Sequence, residues 1–201
     1  MSARGVLTAA AVAAGLALAG TAGAGTNYHV SVTGSDSAGD GTAGNPWGSI
    51  TNAVANAAAG DTILVAAGVY TQSVSLAGKT FVTLRGGYDG SWNWDPPNQA
   101  TVVFGNGNSP IVIPEGAISN ALSCLTLKGG TGGNKAGIEF TGAASNLFVE
   151  GCTIVSNYHG IYSGNLIPQT LALRNTLIIR NTSRGIYFNL GYLGYGADVG
   201  S

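Results

Sequence analysis

Six side chains able to do chemistry recur in a matching frame in the second half of the chain: Lys135 and Glu139, His159 and Tyr162, Arg184 and Tyr187. Each pair brackets a glycine and an isoleucine, giving Gly137-Ile138-Glu139, Gly160-Ile161-Tyr162 and Gly185-Ile186-Tyr187. A tyrosine offers an apolar ring face and a polar rim, and the flanking charges add donors and acceptors. Arrayed on a flat surface, this set suits a sugar chain held by ring stacking and hydroxyl hydrogen bonds. The same rings would also stabilise a strand ladder as cross-strand pairs, and the residues alone leave both readings open.

Catalysis asks for more than these residues supply. Abstracting a proton beside a uronate carboxylate needs a Lys or Arg base of depressed pKa, with Ca²⁺ held by several carboxylates. Hydrolysing a glycosidic bond needs two carboxyls about 5 to 9.5 Å apart. Glu139 and Glu150 are the acids of the repeated region, and they fall in different columns. No catalytic residue is assigned and no metal site or cofactor is expected. Ca²⁺ enters only in the alternative that the protein is a short lyase acting on a uronate-containing glycan; a glycoside hydrolase is the other enzymatic alternative.

A repeat positions these residues. Gly151-Cys152-Thr153-Ile154-Val155-Ser156-Asn157 lies over Asn175-Thr176-Leu177-Ile178-Ile179-Arg180-Asn181 at an offset of 24. Leu147-Phe148-Val149-Glu150 lies over Leu171-Ala172-Leu173-Arg174 at the same offset, and Leu125-Thr126-Leu127 opens a weaker copy. A period of 23 to 27 residues, with short β-rich segments and Gly- and Asn-containing turns, lacks the leucine pattern of leucine-rich repeats and the long amphipathic segments of helical ones. It fits coils of parallel strands stacked about 4.8 Å apart. The pattern places Leu147, Val149, Ile154 and Ile161 inside one coil and Leu171, Leu173, Ile178 and Ile186 inside the next. Glu139, Tyr162 and Tyr187 then point outward on one strand of successive coils. Glu150 would sit over Arg174 as an ion pair between coils, and Asn157 over Asn181 as stacked turn amides.

The 201 residues are 8% charged, against about 25% in an ordinary soluble protein. They include 33 glycines and are 45% hydrophobic, with a formal net charge of −1. That excludes binding nucleic acid by phosphate neutralisation, and polybasic attachment to a membrane surface. Arg4, the apolar run Val6 to Ala19 and the small-residue stretch Thr21-Ala22-Gly23-Ala24 read as a signal peptide over residues 1–24. The run is too short to span a bilayer, which takes about 20 residues. The mature chain holds no second such run, so no membrane span is expected and the location is secreted, periplasmic or cell-surface. Cys124 and Cys152 are 28 apart, against a local offset of 27, and miss a common column by one residue. Two unpaired, partly buried thiols are expected.

Residues 25–60 read as an N-terminal strand and capping helix, and 61–201 as the β-helix domain. Residues 27–33 alternate like a strand, and Ile50, Val54 and Ala57 share one helical face before the stop at Gly60. The stretch Asp36 to Thr42 has a faint likeness to a calcium loop, but Asp and Gly there are ordinary turn formers. Asp61 is expected to tie a turn. Tyr88, Trp92 and Trp94, with Asp89 and Asp95, form a second aromatic group that would serve as a sugar platform or as a lid on the core.

The segment Tyr28-His29-Val30-Ser31-Val32-Thr33-Gly34-Ser35-Asp36, with Gly41-Thr42, Asn45-Pro46-Trp47, Gly60-Asp61-Thr62-Ile63 and Gly68-Val69-Tyr70, resembles the opening segment of secreted pectin-lyase-like β-helix proteins. The likeness extends from Tyr28 to about Phe188. It implies an all-β fold: a single-stranded right-handed parallel β-helix of about five coils with an N-terminal strand and capping helix. It does not select an activity, because that opening occurs in lyases, hydrolases, epimerases, adhesins and surface proteins. The combined expectation is a secreted or surface protein that binds polysaccharide through Lys135, Glu139, His159, Tyr162, Arg184 and Tyr187. A structural or adhesive stalk is the remaining alternative. Beyond Phe188 the glycine-rich stretch reads as neither helix nor full coil, so either a shortened relative of a longer β-helix or end-to-end self-association is expected.

Overall fold

The computed structural model describes residues 25–142, 146–164, 170–189 and 197–198. It is a parallel β-solenoid of about five turns with one short helix. Each turn contributes a strand to three sheets. The first sheet holds β1 (Asn27–Val30), β2 (Thr62–Ala66), β5 (Thr83–Tyr88), β8 (Asn120–Ser123), β11 (Asn146–Glu150) and β14 (Thr170–Arg174), hydrogen-bonded in that order. The second holds β3 (Gly68–Thr71), β6 (Thr101–Gly107), β9 (Thr126–Gly130), β12 (Thr153–Val155) and β15 (Leu177–Ile179). The third holds β4 (Val74–Ser75), β7 (Ile111–Ile113), β10 (Ala136–Phe140), β13 (His159–Ser163) and β16 (Arg184–Phe188), with β17 (Ala197–Asp198) antiparallel to β16 at its end.

Register stacks one inward column per sheet. Ile63, Leu84, Leu122, Val149 and Leu173 align in the first. Tyr70, Val103, Leu127, Ile154 and Ile178 align in the second, and Val74, Ile111, Ile138, Ile161 and Ile186 in the third. All inward residues named for the first coil of the repeat are fully buried. Each such side chain contributes about 1.5–3 kcal/mol of apolar burial. The column opens at its end, where Leu173 is 38% exposed. The coil length is less regular than the 23–27 period: Thr62 pairs with Thr83, but Thr83 pairs with Ala121, because the long connection after β5 is inserted between them.

Left-handed residues turn the corners. Cys124, Gly151 and Asn175 hold φ of 54°, 62° and 48° between the first and second sheets, and Gly129, Ser156 and Arg180 do so between the second and third. The Asn ladder forms as expected. Asn157 Nδ2 donates to Asn181 Oδ1 at 3.2 Å and Asn157 Oδ1 accepts from the Gly130 N–H at 3.0 Å. The glycines of the Gly-Ile motif are required by crowding: a Cβ on Gly137 would strike Ile154 Cγ2, and one on Gly160 would strike Ile178 Cγ2.

The helix α1 (Ile50–Asn56) covers the first coil with Ile50, Ala53 and Val54, and Ala57 is buried just beyond it. Ser49 caps its start by accepting from the Asn52 N–H, and the Lys79 ammonium donates to the Ala55 and Ala57 carbonyls at its end. Asp61 does tie a turn, accepting from the Thr26 and Ala58 N–H groups at 2.7 Å each. Asp36 accepts from the Gly48 and Ser49 N–H groups, locking the loop to the helix start. No helix among the described residues is long and apolar enough to cross a membrane.

Candidate functional site

The third sheet brings all six sequence-predicted residues together on its outer face. Ile138, Ile161 and Ile186 point inward, so the residues that follow them, Glu139, Tyr162 and Tyr187, form one outward column in direct register. Lys135 reaches forward four residues and pairs with Glu139, Nζ to Oε2 3.2 Å. His159 opens β13 and stacks on Tyr162, with ring centres 5.2 Å apart and planes within 11°. Tyr187 lies 5.3 Å from the His159 ring and 5.7 Å from Tyr162. Arg184, in register with His159, lays its guanidinium 4.0 Å above the Tyr187 ring.

These side chains pack on one another. Tyr162 is 6% exposed, Glu139 9% and His159 3%. The ring faces of Tyr162 and Tyr187 are therefore occupied by neighbours. Burial raises the Tyr162 hydroxyl above the usual phenol range, with Tyr187 and Glu139 adding to it. Burial, then the nearby Arg184 charge, lowers the His159 pKa below that of a free imidazole. His159 Nδ1 is buried without a hydrogen-bond partner.

Beside the cluster lies a cleft of about 480 Å³, lined by Asn134, Glu139, Phe140, Thr141, Tyr162, Gly164 and Asn189. Amide, hydroxyl and carboxylate groups converge there beside two aromatic side chains, Phe140 and Tyr162, an arrangement suited to a polyhydroxylated ligand. Sequence reasoning missed Asn134, Thr141 and Asn189, which sit outside the repeated motif. It also missed Ser109, whose buried hydroxyl donates to Glu139 Oε2 at 2.6 Å and accepts from the Ala136 N–H at 3.0 Å. Ser109 precedes β7, in a coil whose sequence shows no visible copy of the motif, so the only signal for it is the register itself.

The second aromatic group is divided. Trp92 donates from Nε1 to the Ala43 carbonyl and packs edge-on against His29, at 4.5 Å, pinning its loop to the N-terminal cap. Trp94 is 49% exposed and carries Arg85 4.7 Å above its ring. One expectation is corrected. Glu150 and Arg174 are register partners but form no ion pair; the one ion pair among the described residues is Lys135–Glu139. Both side chains are exposed, and water solvates each as well as the other would. Cys124 and Cys152 are free, as expected, and burial pushes the Cys152 thiol up to about 12. Among the described residues no three His, Cys, Asp or Glu side chains gather to hold a metal.

Fold and site together define a parallel β-helix with a polar cleft on one outer face. A family model described as a protein of unknown function, DUF1565, matches residues 32–85, which run from just after β1 through α1 and into β5. No curated protein and no solved structure matches the chain.

Proposed function

We propose that the protein binds polysaccharide outside the cytoplasm, through the cleft on the outer face of the third sheet. The observation that carries this reading is the convergence of Asn134, Glu139, Thr141, Tyr162 and Asn189 on one open recess. With the ring faces of the ladder occupied, the glycan is held mainly by hydrogen bonds, and the stacked rings keep the Tyr162 hydroxyl and the Glu139 carboxylate in place. Binding is favoured over hydrolysis because Glu139 is the one carboxylate among the described lining residues, where hydrolysis asks for a pair. Removal of residues 1–24 as a signal peptide would deliver the chain to that compartment.

Affinity electrophoresis in gels carrying different polysaccharides tests the reading. Retention should be lost in Tyr162→Phe combined with Asn189→Ala, which remove polar groups from the cleft while keeping the ring. Unchanged retention in that variant would reject the cleft. The partly exposed inward residues of the last coil, Leu173 above all, support self-association through that end. Light scattering that shows a monomer at high concentration would reject it.

A further inference from the structure

Two strand edges at the N-terminal end of the solenoid are finished differently. β1 is sealed: the His29 N–H donates to the Gly41 carbonyl at 2.9 Å, the Trp47 N–H to the His29 carbonyl at 3.0 Å and the Ser31 N–H to the Trp47 carbonyl at 2.9 Å. β3, the first strand of the second sheet, is not sealed in this way. The Gly68 N–H donates to the Ala100 carbonyl and the Gln72 N–H to the Phe104 carbonyl, at 3.0 Å each, so Gly68, Tyr70 and Gln72 carry the ladder to β6. Successive residues of a strand direct their N–H and C=O groups to opposite sides, and those of Val69 and Thr71 therefore face away from β6. Among the described residues these groups have no hydrogen-bond partner.

That edge lies in a recess of about 470 Å³, which Val32 and Asp36 from the loop after β1 and Ser49 at the start of α1 line together with Val69 and Thr71. The Val32 and Val69 side chains are exposed and give the recess an apolar lip. Asp36 is its one charged residue. Its Oδ1 accepts from the Gly48 and Ser49 N–H groups, which fixes the carboxylate, and Oδ2 has no partner among the described residues. The lining of the recess falls entirely within the stretch 32–85 that the family model matches, whereas the lining of the third-sheet cleft falls outside it.

We propose that the recess takes an extended peptide segment of a partner protein, which adds to the free edge of β3 as a short strand and sets a lysine or arginine against Asp36. What the edge offers is main-chain N–H and C=O, repeated two residues apart at about 6.7 Å, and a second extended backbone returns that pattern group for group. Those bonds supply affinity for any strand. The valine lip and the single carboxylate then select among strands, for an apolar side chain beside a cation. The stretch of this chain beyond Phe188 carries Asp198 and no basic residue, so it does not supply that cation. The site shares no residue with the third-sheet cleft and stands independently of the glycan reading.

Fluorescence anisotropy of the full chain with labelled, end-blocked heptapeptides tests the proposal. The peptides are built of valine and threonine, with one lysine placed at each position in turn, and a matching series carries glutamate in its place. Lysine peptides should bind, the best of them at least about tenfold more tightly than its glutamate counterpart. Asp36→Asn keeps an oxygen for the Gly48 and Ser49 N–H groups without the charge, and should weaken the best lysine peptide about fivefold. Thr71→Pro removes an edge-facing N–H and spares the ladder to β6, since proline is tolerated where the N–H faces out of the sheet, and should abolish binding. Amide exchange followed by NMR tests the same point in the wild type: the best peptide should slow Val69 and Thr71 and leave Gly68, Tyr70 and Gln72 unchanged. No binding in the lysine series, equal affinity in the two series, undiminished binding in Asp36→Asn or in a folded Thr71→Pro, or exchange at Val69 and Thr71 that the peptide does not slow would each overturn the proposal. Protection of those two amides that rises with protein concentration alone would also overturn it, giving the edge to a second copy of this chain.

Discussion

Phe148 on the first sheet and Tyr162 on the third occupy equivalent places. Each follows an inward residue of the same coil, and each points away from the core in mid-strand. Yet Phe148 is 47% exposed and Tyr162 6%. The backbone geometry is shared, so the difference lies in what stands one coil above and below. Phe148 has Ala121 and Ala172 as register partners, whereas Tyr162 has Glu139 and Tyr187, with His159 stacked across its ring. In a solenoid, an outward side chain is covered by its neighbours in the column rather than by sequence neighbours. The first sheet thus offers open ring surface, and the third a self-packed cluster with a polar rim.

Both faces hang on one core, and breaking it should erase the contrast. Ile161→Asp places a carboxylate in a column where every wild-type neighbour is apolar. An unpaired buried charge costs several kcal/mol against a total stability of about 5–15 kcal/mol. The variant should lose its β-sheet circular dichroism at room temperature. A variant that melts like the wild type would show that Ile161 does not face inward.

The contrast itself is tested by truncating the two rings. Tyr162→Ala should lower the stability read from urea unfolding by about 3 kcal/mol, as for other buried aromatic residues. Phe148→Ala should change it by about 0.5 kcal/mol or less, as for an exposed surface position. Equal losses would mean that Phe148 is covered in solution.

Much of this was legible in the sequence, and the part that was not has a physical reason. The alternation around Ile161 and Ile186, the 24-residue offset and the three Gly-Ile motifs give the inward columns and bring the six polar and aromatic residues to one face, because register follows from the buried pattern. How deeply Tyr162 and His159 are covered did not follow. Burial on an outer face depends on ring orientations and on residues such as Ser109, which belong to coils that have lost the repeat. The recess at the edge of β3 escaped notice for a related reason. It depends on which strand edge the cap leaves unpaired, and the cap lies outside the repeat. The insertion after β5 stretches the preceding offset from 21 to 38 residues, between Thr62–Thr83 and Thr83–Ala121, and hides that part of the repeat.

Acid should affect the third face selectively. His159 has its pKa held below 6.5 by burial and by Arg184, so the folded protein keeps the imidazole neutral while the unfolded chain takes up a proton as the pH falls through 6.5. The stabilisation is complete above that value and declines as the pH falls from it toward the lower folded pKa. The groups that face the ring are Arg184 and Tyr187 on β16, Tyr158 and Tyr162 on its own coil, and Glu139 beyond Tyr162 on β10. Of these, only Glu139 would welcome an imidazolium, and it is already engaged by Lys135 and Ser109. The melting temperature should therefore drop below pH 6.5 more steeply in the wild type than in His159→Phe. Parallel curves would show that His159 is equally protonated in both states.

The smallest effect is expected where sequence register most invites a large one. Glu150 and Arg174 face each other on adjacent coils with opposite charges, the arrangement that favours a cross-strand pair, yet they make no ion pair. Lys135 and Glu139 do pair, and their difference is informative. The Glu139 carboxylate is held by Ser109 as well as by Lys135, on a largely buried side chain, so it is oriented before the ammonium arrives. Glu150 has no such second partner among the described residues, and pairing would have to order two long exposed side chains against water, which leaves about 0–1 kcal/mol at best. Glu150→Gln and Arg174→Gln, singly or together, should leave the urea midpoint unchanged at low and at high salt. Ser109→Ala should instead lower it, because it leaves the Ala136 N–H and one Glu139 oxygen short of a partner. A double-mutant cycle of Glu150 and Arg174 that gave a coupling larger at low salt than at high would show that the pair forms in solution, and that partner orientation is not what separates the two faces.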